Sequence, residues 1–174
     1  EIGGTFESDT YDNAKLYVPK ESIEAYKNSV GWKSFKQING IGVLSAVNID
    51  GICYSTVGEG IDSVEVVSNP EKYSGDIAIP ASVTYDGRSY TVASIGVDAF
   101  YECSGLKSVT IPNSVTSIGD EAFRDCTGLT SISIPNSVTS IGGDAFRDCT
   151  GLTKVRMEDG NKSLDLGYSI FYGC

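Results

Sequence analysis

The chain has 174 residues, of which 13 are basic and 23 are acidic, and its formal net charge is −10. Nucleic acids and anionic membrane surfaces both attract basic proteins, so this balance argues against either as a partner. The chain contains no histidine, which excludes Ser-His-Asp and Cys-His catalysis and every histidine-ligated metal site. No apolar run approaches the roughly 18 residues of a membrane-spanning helix, so we expect no membrane insertion.

Residues 1–38 are interpreted as the last coil and the C-terminal cap of a first repeat array. Leu16–Pro19 has the same strand-and-proline pattern as Val109–Pro112 in the repeats described below, which predicts a strand. Residues 21–28 predict a short helix, with acidic residues in its first turn and Lys27 near its end, as the helix dipole favours. A solenoid end must hide its core, so four apolar side chains are expected to plug the last coil, with an aromatic ligand site as the alternative. They are Ile23, Tyr26, Trp32 and Phe35.

Residues 39–47 are predicted to be a linker, because Gly40 and Gly42 loosen the backbone. Beyond it, residues 51–57 and 63–67 have the alternation and the β-branched content of two strands. We interpret residues 48–75 as a β-hairpin that forms the N-terminal cap of a second array. A C-terminal cap thus precedes an N-terminal cap, which predicts either two arrays in tandem or a segment of an array-linker-array protein.

Residues 76–174 form the predicted second array, and they repeat with a period of 23 residues. The stretch IPNSVTSIGDEAFRDCTGLT from Ile111 returns as IPNSVTSIGGDAFRDCTGLT from Ile134. This period is typical of a leucine-rich-repeat solenoid, in which each coil covers the apolar side of its neighbour. An earlier copy begins at Ile79, 32 residues before Ile111, and the nine extra residues include Asp86-Gly87. That dipeptide predicts a small hairpin protruding from the coil.

Each coil is predicted to contain a strand, a second apolar segment and a turn. Ile132 and Ile134 are expected to point inward and Ser133 outward, because side chains alternate along a strand. The apolar residues of 138–142 should face into the coil, and 144–149 should form a turn of α- or 3₁₀-helix. Stacked coils then predict two ladders of like residues. One is Phe100, Phe123, Phe146 and Phe171; the other is Cys103, Cys126, Cys149 and Cys174.

The repeat resembles the BspA-like leucine-rich-repeat family of bacterial surface proteins. The resemblance is carried by IPNSVTSIG, by the AF…C segment and by the GL that follows it, over at least residues 76–174. YVPKESIEAYKNSVGWKSF is similar to the segment that closes arrays in this family. Ser137 and Thr139 depart from the general L-x-x-L-x-L-x-x-N-x-L form, which argues against a regular asparagine ladder. The resemblance implies a β-rich, right-handed solenoid with one strand per coil, exported to the cell surface and used for attachment.

The five cysteines include no Cys-x-x-Cys pair, so a zinc site is not expected. Their repeated inward position favours reduced, buried thiols, with a disulfide between neighbouring coils as the alternative. Acidic residues recur at one or two per coil, and solvated turns explain them more simply than a calcium site or a glycosidase pair. They are Glu102, Asp120, Glu121, Asp125, Asp144 and Asp148. We expect neither a metal nor a cofactor.

The outward side of the strands is the predicted binding surface, because solenoids bind through their extended concave face. Lys154 and Arg156 add a positive patch to an acidic protein, which favours an acidic or glycan ligand over a merely solvated strand. The candidate binding residues are Tyr17, Asp76, Ser108, Thr110, Ser131, Ser133, Lys154 and Arg156.

The family resemblance, more than the residues themselves, implies a non-enzymatic binding and adhesion module, secreted or held at a bacterial cell surface. Its expected partner is a host extracellular-matrix or microbial surface protein or glycan. A structural spacer without a ligand of its own is the second interpretation, and a glycan-active enzyme is the third. An exposed coil edge near Cys174 also predicts self-association through the open end of the solenoid.

Overall fold

The computed structural model describes residues 15–19, 23–28, 37–41, 46–56, 62–159 and 164–174. Contacts divide the chain into two compact units, Glu1–Val43 and Leu44–Cys174. The division falls within residues 39–47, the range predicted as a linker. Both ends of the predicted linker nevertheless belong to strands, since residues 39–41 lie in one strand and residue 47 lies in another.

The first unit contains two strands and one short helix: β1 (Lys15–Pro19), α1 (Ile23–Asn28) and β2 (Gln37–Ile41). β1 is the strand predicted from its proline pattern, and β2 pairs with it in parallel. α1 begins two residues later than predicted, and Lys27 forms an ion pair with Glu24 at 3.1 Å. Trp32, Phe35 and the side chain of Ile23 lie outside the described residues, so the plug over the last coil remains a prediction.

The second unit opens with an antiparallel sheet of three strands: β3 (Val47–Ile49), β4 (Ile52–Thr56) and β5 (Ser63–Val66). The predicted hairpin is the pair β4–β5, and β3 adds a strand that the sequence pattern did not indicate. A second hairpin joins β7 (Ser82–Tyr85) to β8 (Arg88–Ile95). Its turn residues Asp86 and Gly87 have φ values of 51° and 75°, as a two-residue hairpin turn requires. The predicted protruding hairpin is therefore present.

The repeats form a β-solenoid of about four turns built from parallel strands, as predicted. Two parallel pairs lie on one side: β6 (Gly75–Ala78) with β9 (Leu106–Thr110), and β11 (Ser131–Ile134) with β13 (Lys154–Met157). The other side carries β10 (Ser117–Ile118), β12 (Ser140–Ile141) and β14 (Asp165–Leu166), which continue the sheet from β8 in the order β8-β10-β12-β14. Each full coil thus has two strands, not the single strand that the family resemblance implied.

The burial pattern follows the predicted alternation. Ile132 and Ile134 are buried, whereas Ser133 between them is exposed. Val138 and Ile141 are also buried, so the second apolar segment of the coil faces inward as expected. This segment becomes a strand because its backbone hydrogen-bonds to the equivalent segment of the coil on either side.

The segment 144–149 contains two turns with i+3 hydrogen bonds of the predicted 3₁₀ type, from Arg147 N–H to Asp144 O at 3.0 Å and from Cys149 N–H to Phe146 O at 3.3 Å, but it is not a continuous helix. Asp144 and Asp148 have left-handed φ values of 53° and 54°, which interrupt a right-handed helix. The backbone N–H of Phe146 donates to Ile170 O in the next coil at 2.9 Å instead of to its own turn. Hydrogen bonds between coils thus alternate with hydrogen bonds within the turns. The same left-handed φ recurs at equivalent positions of earlier coils: Asp98, Glu102, Glu121 and Asp125.

The predicted phenylalanine ladder runs through the core. Phe100, Phe123 and Phe146 are fully buried, and their ring centroids lie 4.8 and 5.0 Å apart with nearly parallel planes. Phe171 follows at 5.5 Å but is 45% exposed. Tyr73 begins the ladder, with its ring tilted 4.6 Å from Phe100. The buried Tyr73 hydroxyl accepts a hydrogen bond from the Cys53 N–H and donates one to Val67 O, so it joins the ladder to the N-terminal sheet.

All five cysteines lie within the described residues and are free thiols, and the ladder members are buried as predicted except Cys174, which is exposed. Three thiols of the ladder donate to the carbonyl of the phenylalanine one coil earlier: Cys126 to Phe100 at 3.0 Å, Cys149 to Phe123 at 2.9 Å, and Cys174 to Phe146 at 3.0 Å. Each of these carbonyls also accepts the backbone N–H of the cysteine in its own coil, at 3.1–3.3 Å, so the thiol supplies a second donor from a side chain small enough for the coil. The repeated cysteine is therefore explained by packing and hydrogen bonding.

Replacement of Phe123 by alanine should destabilise the solenoid by about 3–5 kcal/mol, because the ring is buried between two stacked neighbours. The free energy of unfolding from urea titration provides the measurement. Phe171→Ala is the matched control, since Phe171 has one ring neighbour in the described ladder and is partly exposed. Its cost should be clearly smaller. A cost below about 1 kcal/mol for Phe123→Ala would contradict the ladder.

Alkaline pH should destabilise the fold. Burial raises the pKa of the Cys103 and Cys174 thiols and raises the pKa of Tyr54 from 10.0 to about 12. The unfolded chain then loses these protons at lower pH than the folded chain, so stability is full below about pH 9 and falls as pH rises further.

Urea midpoints measured near neutral pH and at about pH 10.5 should therefore differ, with the lower midpoint at alkaline pH. Tyr54→Phe removes one titrating group, so the loss between the two pH values should be smaller in this variant, whatever its stability at neutral pH. Equal midpoints for the wild-type chain at the two pH values would refute the prediction.

Candidate binding surfaces of the solenoid

The strand face is defined here as the outward side of β6, β9, β11 and β13. Alternation along each strand places its members, because the residues between them point into the core. Within β9, Val109 is buried whereas Thr110 is exposed, and within β11 the buried Ile132 separates two exposed serines. The strand face is therefore small and hydroxylic over most of its length, as the repeat sequence predicted.

The structure brings the predicted site residues together in two groups. In the first, Asp76 lies opposite Ser108, whose hydroxyl donates to Asp76 Oδ1 at 2.6 Å, and Ala78 lies opposite Thr110. This hydrogen bond occupies one oxygen of the single carboxylate among the candidates. The second group has Ser131 opposite Lys154 and Ser133 opposite Arg156 in the β11–β13 pair.

The second group lines a shallow pocket of about 190 Å³, here called the basic pocket. Its lining consists of Ser131, Ile132, Ser133, Lys154 and Arg156. Lys154 and Arg156 stand two residues apart on β13 with side chains on the same face, and both are exposed. Four of the eight predicted site residues are thus neighbours in space.

Charge compensation distinguishes the cations of this pocket from the arginines of the neighbouring turns. Arg147 lies between Asp144 and Asp148, with closest nitrogen-oxygen distances of 3.7 and 3.2 Å. Arg124 has equivalent partners one coil earlier. In the part of the chain that the structure describes, no carboxylate pairs with Lys154 or Arg156. The basic pocket therefore presents two charges that are available to an acidic ligand.

Tyr17 lies in the first unit, where its backbone pairs with Asn39. Its side chain falls outside the described residues, so its place in a binding surface stays a prediction. The recurrent acidic residues occupy turns, and four of the six lie beside Arg124 or Arg147. Glu102 lies by Lys72, Asp120 accepts a hydrogen bond from the Gly143 N–H, and Asp144 is buried, not solvated as predicted. Among the described residues, no three carboxylate or thiol side chains converge as a metal site.

A second surface, which the sequence interpretation missed, lies beside the strands β10, β12 and β14. It is an open groove of about 430 Å³, here called the lateral groove. One wall is the column Ser117, Ser140 and Asp165, and the other is the column Val97, Asp120, Gly143 and Tyr168. The repeat sequence contains the pattern that could have predicted this groove, because the residues of both columns recur at about the 23-residue period. It was overlooked because the segment 138–142 was not recognised as a strand with an outward side.

No described helix is long and apolar enough to cross a membrane. A family model described as a BspA type leucine rich repeat region matches residues 79–174, in six copies. No curated protein matches the chain. The match begins at Ile79, so it covers the solenoid coils and excludes the antiparallel cap that precedes them.

Several solved structures have the same fold. A leucine rich cell surface protein from Faecalibacterium prausnitzii is 29% identical with a TM-score of 0.55, over 65% of this chain and 32% of that protein. A leucine-rich repeat protein from Bacteroides capillosus is 29% identical with a TM-score of 0.56, and the match covers 70% of this chain and 96% of that protein. Another leucine-rich repeat protein, from Bacteroides ovatus, is 25% identical with a TM-score of 0.52, and the match covers 75% of this chain and 45% of that protein. The present chain spans about a third of the Faecalibacterium protein.

Proposed function

Because the chain belongs to the BspA-type leucine-rich-repeat family, we propose that it is a non-enzymatic binding module of a bacterial cell-surface protein. The similar protein from Faecalibacterium prausnitzii is described as a cell surface protein, which supports this location. The proposed partner is a host extracellular-matrix or microbial surface protein or glycan, bound through acidic groups.

The basic pocket is the observation that carries the proposal. The chain has a net charge of −10, and most of its cations with described surroundings are paired with carboxylates. Lys154 and Arg156 are exposed, lie on one face and have serine hydroxyls directly opposite. A carboxylate or sulfate group can accept charge-assisted hydrogen bonds from both cations and further hydrogen bonds from the serines.

The mechanism is multivalent contact along a rigid surface. The phenylalanine ladder and the hydrogen bonds between coils hold successive strands at a fixed spacing, so contacts on the strand face are preorganised. Each polar contact with an exposed side chain contributes little by itself. Several contacts made at once along one partner raise the overall affinity without requiring a deep pocket.

The test is a binding screen of the chain against immobilised extracellular-matrix proteins and acidic glycans, followed by affinity measurement of each hit. Lys154→Ser/Arg156→Ser should weaken binding at least about tenfold, since two charge-assisted contacts are lost. The matched control exchanges the two cations, Lys154→Arg/Arg156→Lys, which keeps the charge and should retain most of the affinity. Wild-type affinity should also fall as salt concentration rises.

The two serine substitutions remove exposed side chains, so the thermal unfolding midpoint should remain within the small range usual for surface changes. Loss of binding with an unchanged midpoint would support the basic pocket as the contact site. A hit that the double change leaves intact would move the site elsewhere on the module. Absence of any hit would contradict a ligand-binding role for this chain and favour a structural spacer.

A further inference from the structure

The lateral groove has a floor of glycine because neighbouring coils approach closely there. A Cβ atom added to Gly119 would lie 2.6 Å from Val97 N, and one added to Gly142 would lie 2.4 Å from Asp120 N. These distances are too short for any side chain. The floor therefore stays at the level of the backbone, while the walls on both sides are built from side chains.

The two walls differ in chemistry. The outward hydroxyls of Ser117 and Ser140 form one wall and continue into the exposed carboxylate of Asp165. The opposite wall combines apolar and acidic groups, with Val97 62% exposed and Tyr168 73% exposed. Every residue that lines the groove is described, and none of them is basic. This lining disfavours an anionic ligand and favours one that donates hydrogen bonds to carboxylates and also has an apolar face.

The two near-identical repeats differ inside this groove. Residues 111–130 and 134–153 are the same except at two positions, one of which places Gly143 where the earlier copy has Asp120. The Gly143 N–H donates to Asp120 Oδ1 at 2.7 Å. A Cβ at Gly143 would lie 2.7 Å from Tyr168 Cε1, so the glycine makes room for the tyrosine ring to lean over it. Glycine at position 143 thus contacts both the Asp120 carboxylate, through its N–H, and the Tyr168 ring, through the space left by the missing side chain.

The backbone of the floor has little capacity left for a peptide. The N–H groups of Gly119, Gly142 and Gly167 donate to the preceding coil at 2.8, 2.8 and 2.7 Å. A peptide added as a strand depends on free backbone groups of this kind. The groups that remain are side-chain hydroxyls, carboxylates and an aromatic ring, all of which act on the ligand from the walls.

We propose that the lateral groove binds an uncharged, extended polysaccharide, with pyranose rings following one another from coil to coil. A pyranose ring has an apolar face that can stack on Tyr168 and a rim of hydroxyls that can donate to Asp165 and exchange hydrogen bonds with Ser140. The coils are spaced by about 5 Å, the separation of Phe123 and Phe146. A β-1,4-linked pyranose advances along its chain by about the same distance, so one sugar residue can face each coil.

This site is separate from the basic pocket, and it differs in the charge of its ligand. The experiment is a calorimetric titration of the full chain with uncharged β-1,4-linked oligosaccharides, cello- and chito-oligosaccharides of two to six residues. Affinity should rise with length and level off once the sugar spans the four coils that line the groove. Absence of binding by every one of these oligosaccharides at millimolar concentration would overturn the proposal.

Tyr168→Ala should weaken binding of the hexasaccharides by about tenfold, because it removes the stacking surface. Tyr172→Ala is the matched control, since Tyr172 is 64% exposed in the same coil and does not line the groove. It should leave the affinity unchanged. Equal losses in the two variants, or no loss in Tyr168→Ala, would overturn the assignment.

Lys154→Ser/Arg156→Ser separates this proposal from the proposed function, because it removes the basic pocket and leaves the lateral groove intact. Binding of the uncharged hexasaccharides should be unaffected by the double change. A loss of this binding would place the sugars in the basic pocket and overturn the assignment to the lateral groove. Binding of acidic ligands, in turn, should be insensitive to Tyr168→Ala.

Discussion

The structure of the second unit depends on the fixed distance between one coil and the next. Strands that exchange backbone hydrogen bonds lie about 4.8 Å apart, and the stacked rings of Phe100, Phe123 and Phe146 keep nearly that distance through the core. At this spacing each position of a coil contacts the same position of its neighbours. Like residues therefore stack on like, and a residue that suits one coil suits them all.

This constraint explains residues that composition alone leaves unexplained. Glycine recurs beside β10 and β12 because a Cβ there would meet the backbone of the preceding coil. The acidic residues of the turns adopt left-handed φ values, which let backbone N–H groups donate to the next coil. Cysteine recurs because its thiol donates to a carbonyl one coil away. Each repeated residue satisfies a contact with a neighbouring coil.

The same constraint distinguishes the residues that maintain the fold from those that are free to vary on the surface. Most inward positions and close approaches repeat, so most of the marked variation falls in outward columns. Between residues 111–133 and 134–156, Asp120 becomes Gly143 and, one strand later, Ser131 and Ser133 become Lys154 and Arg156, whereas Glu121 and Ile132 change only to the similar Asp144 and Val155. The larger changes lie in the lateral groove and in the basic pocket. A rigid array with local variation on two faces suits a protein that contacts extended ligands.

The sequence alone determined the period, the inward ladders, the protruding hairpin and the residues of the strand face, because each follows from apolar spacing or a turn dipeptide. Tertiary structure decided what depends on contacts between coils. The segment 144–149 has a helical pattern, yet left-handed φ values and hydrogen bonds to the next coil limit it to two short turns. Tyr73 joins the ring ladder from outside the repeat, and the uncompensated charges of Lys154 and Arg156 appear once their neighbours are placed. Repetition reveals which residues stack, whereas only the folded chain shows what each stack leaves exposed.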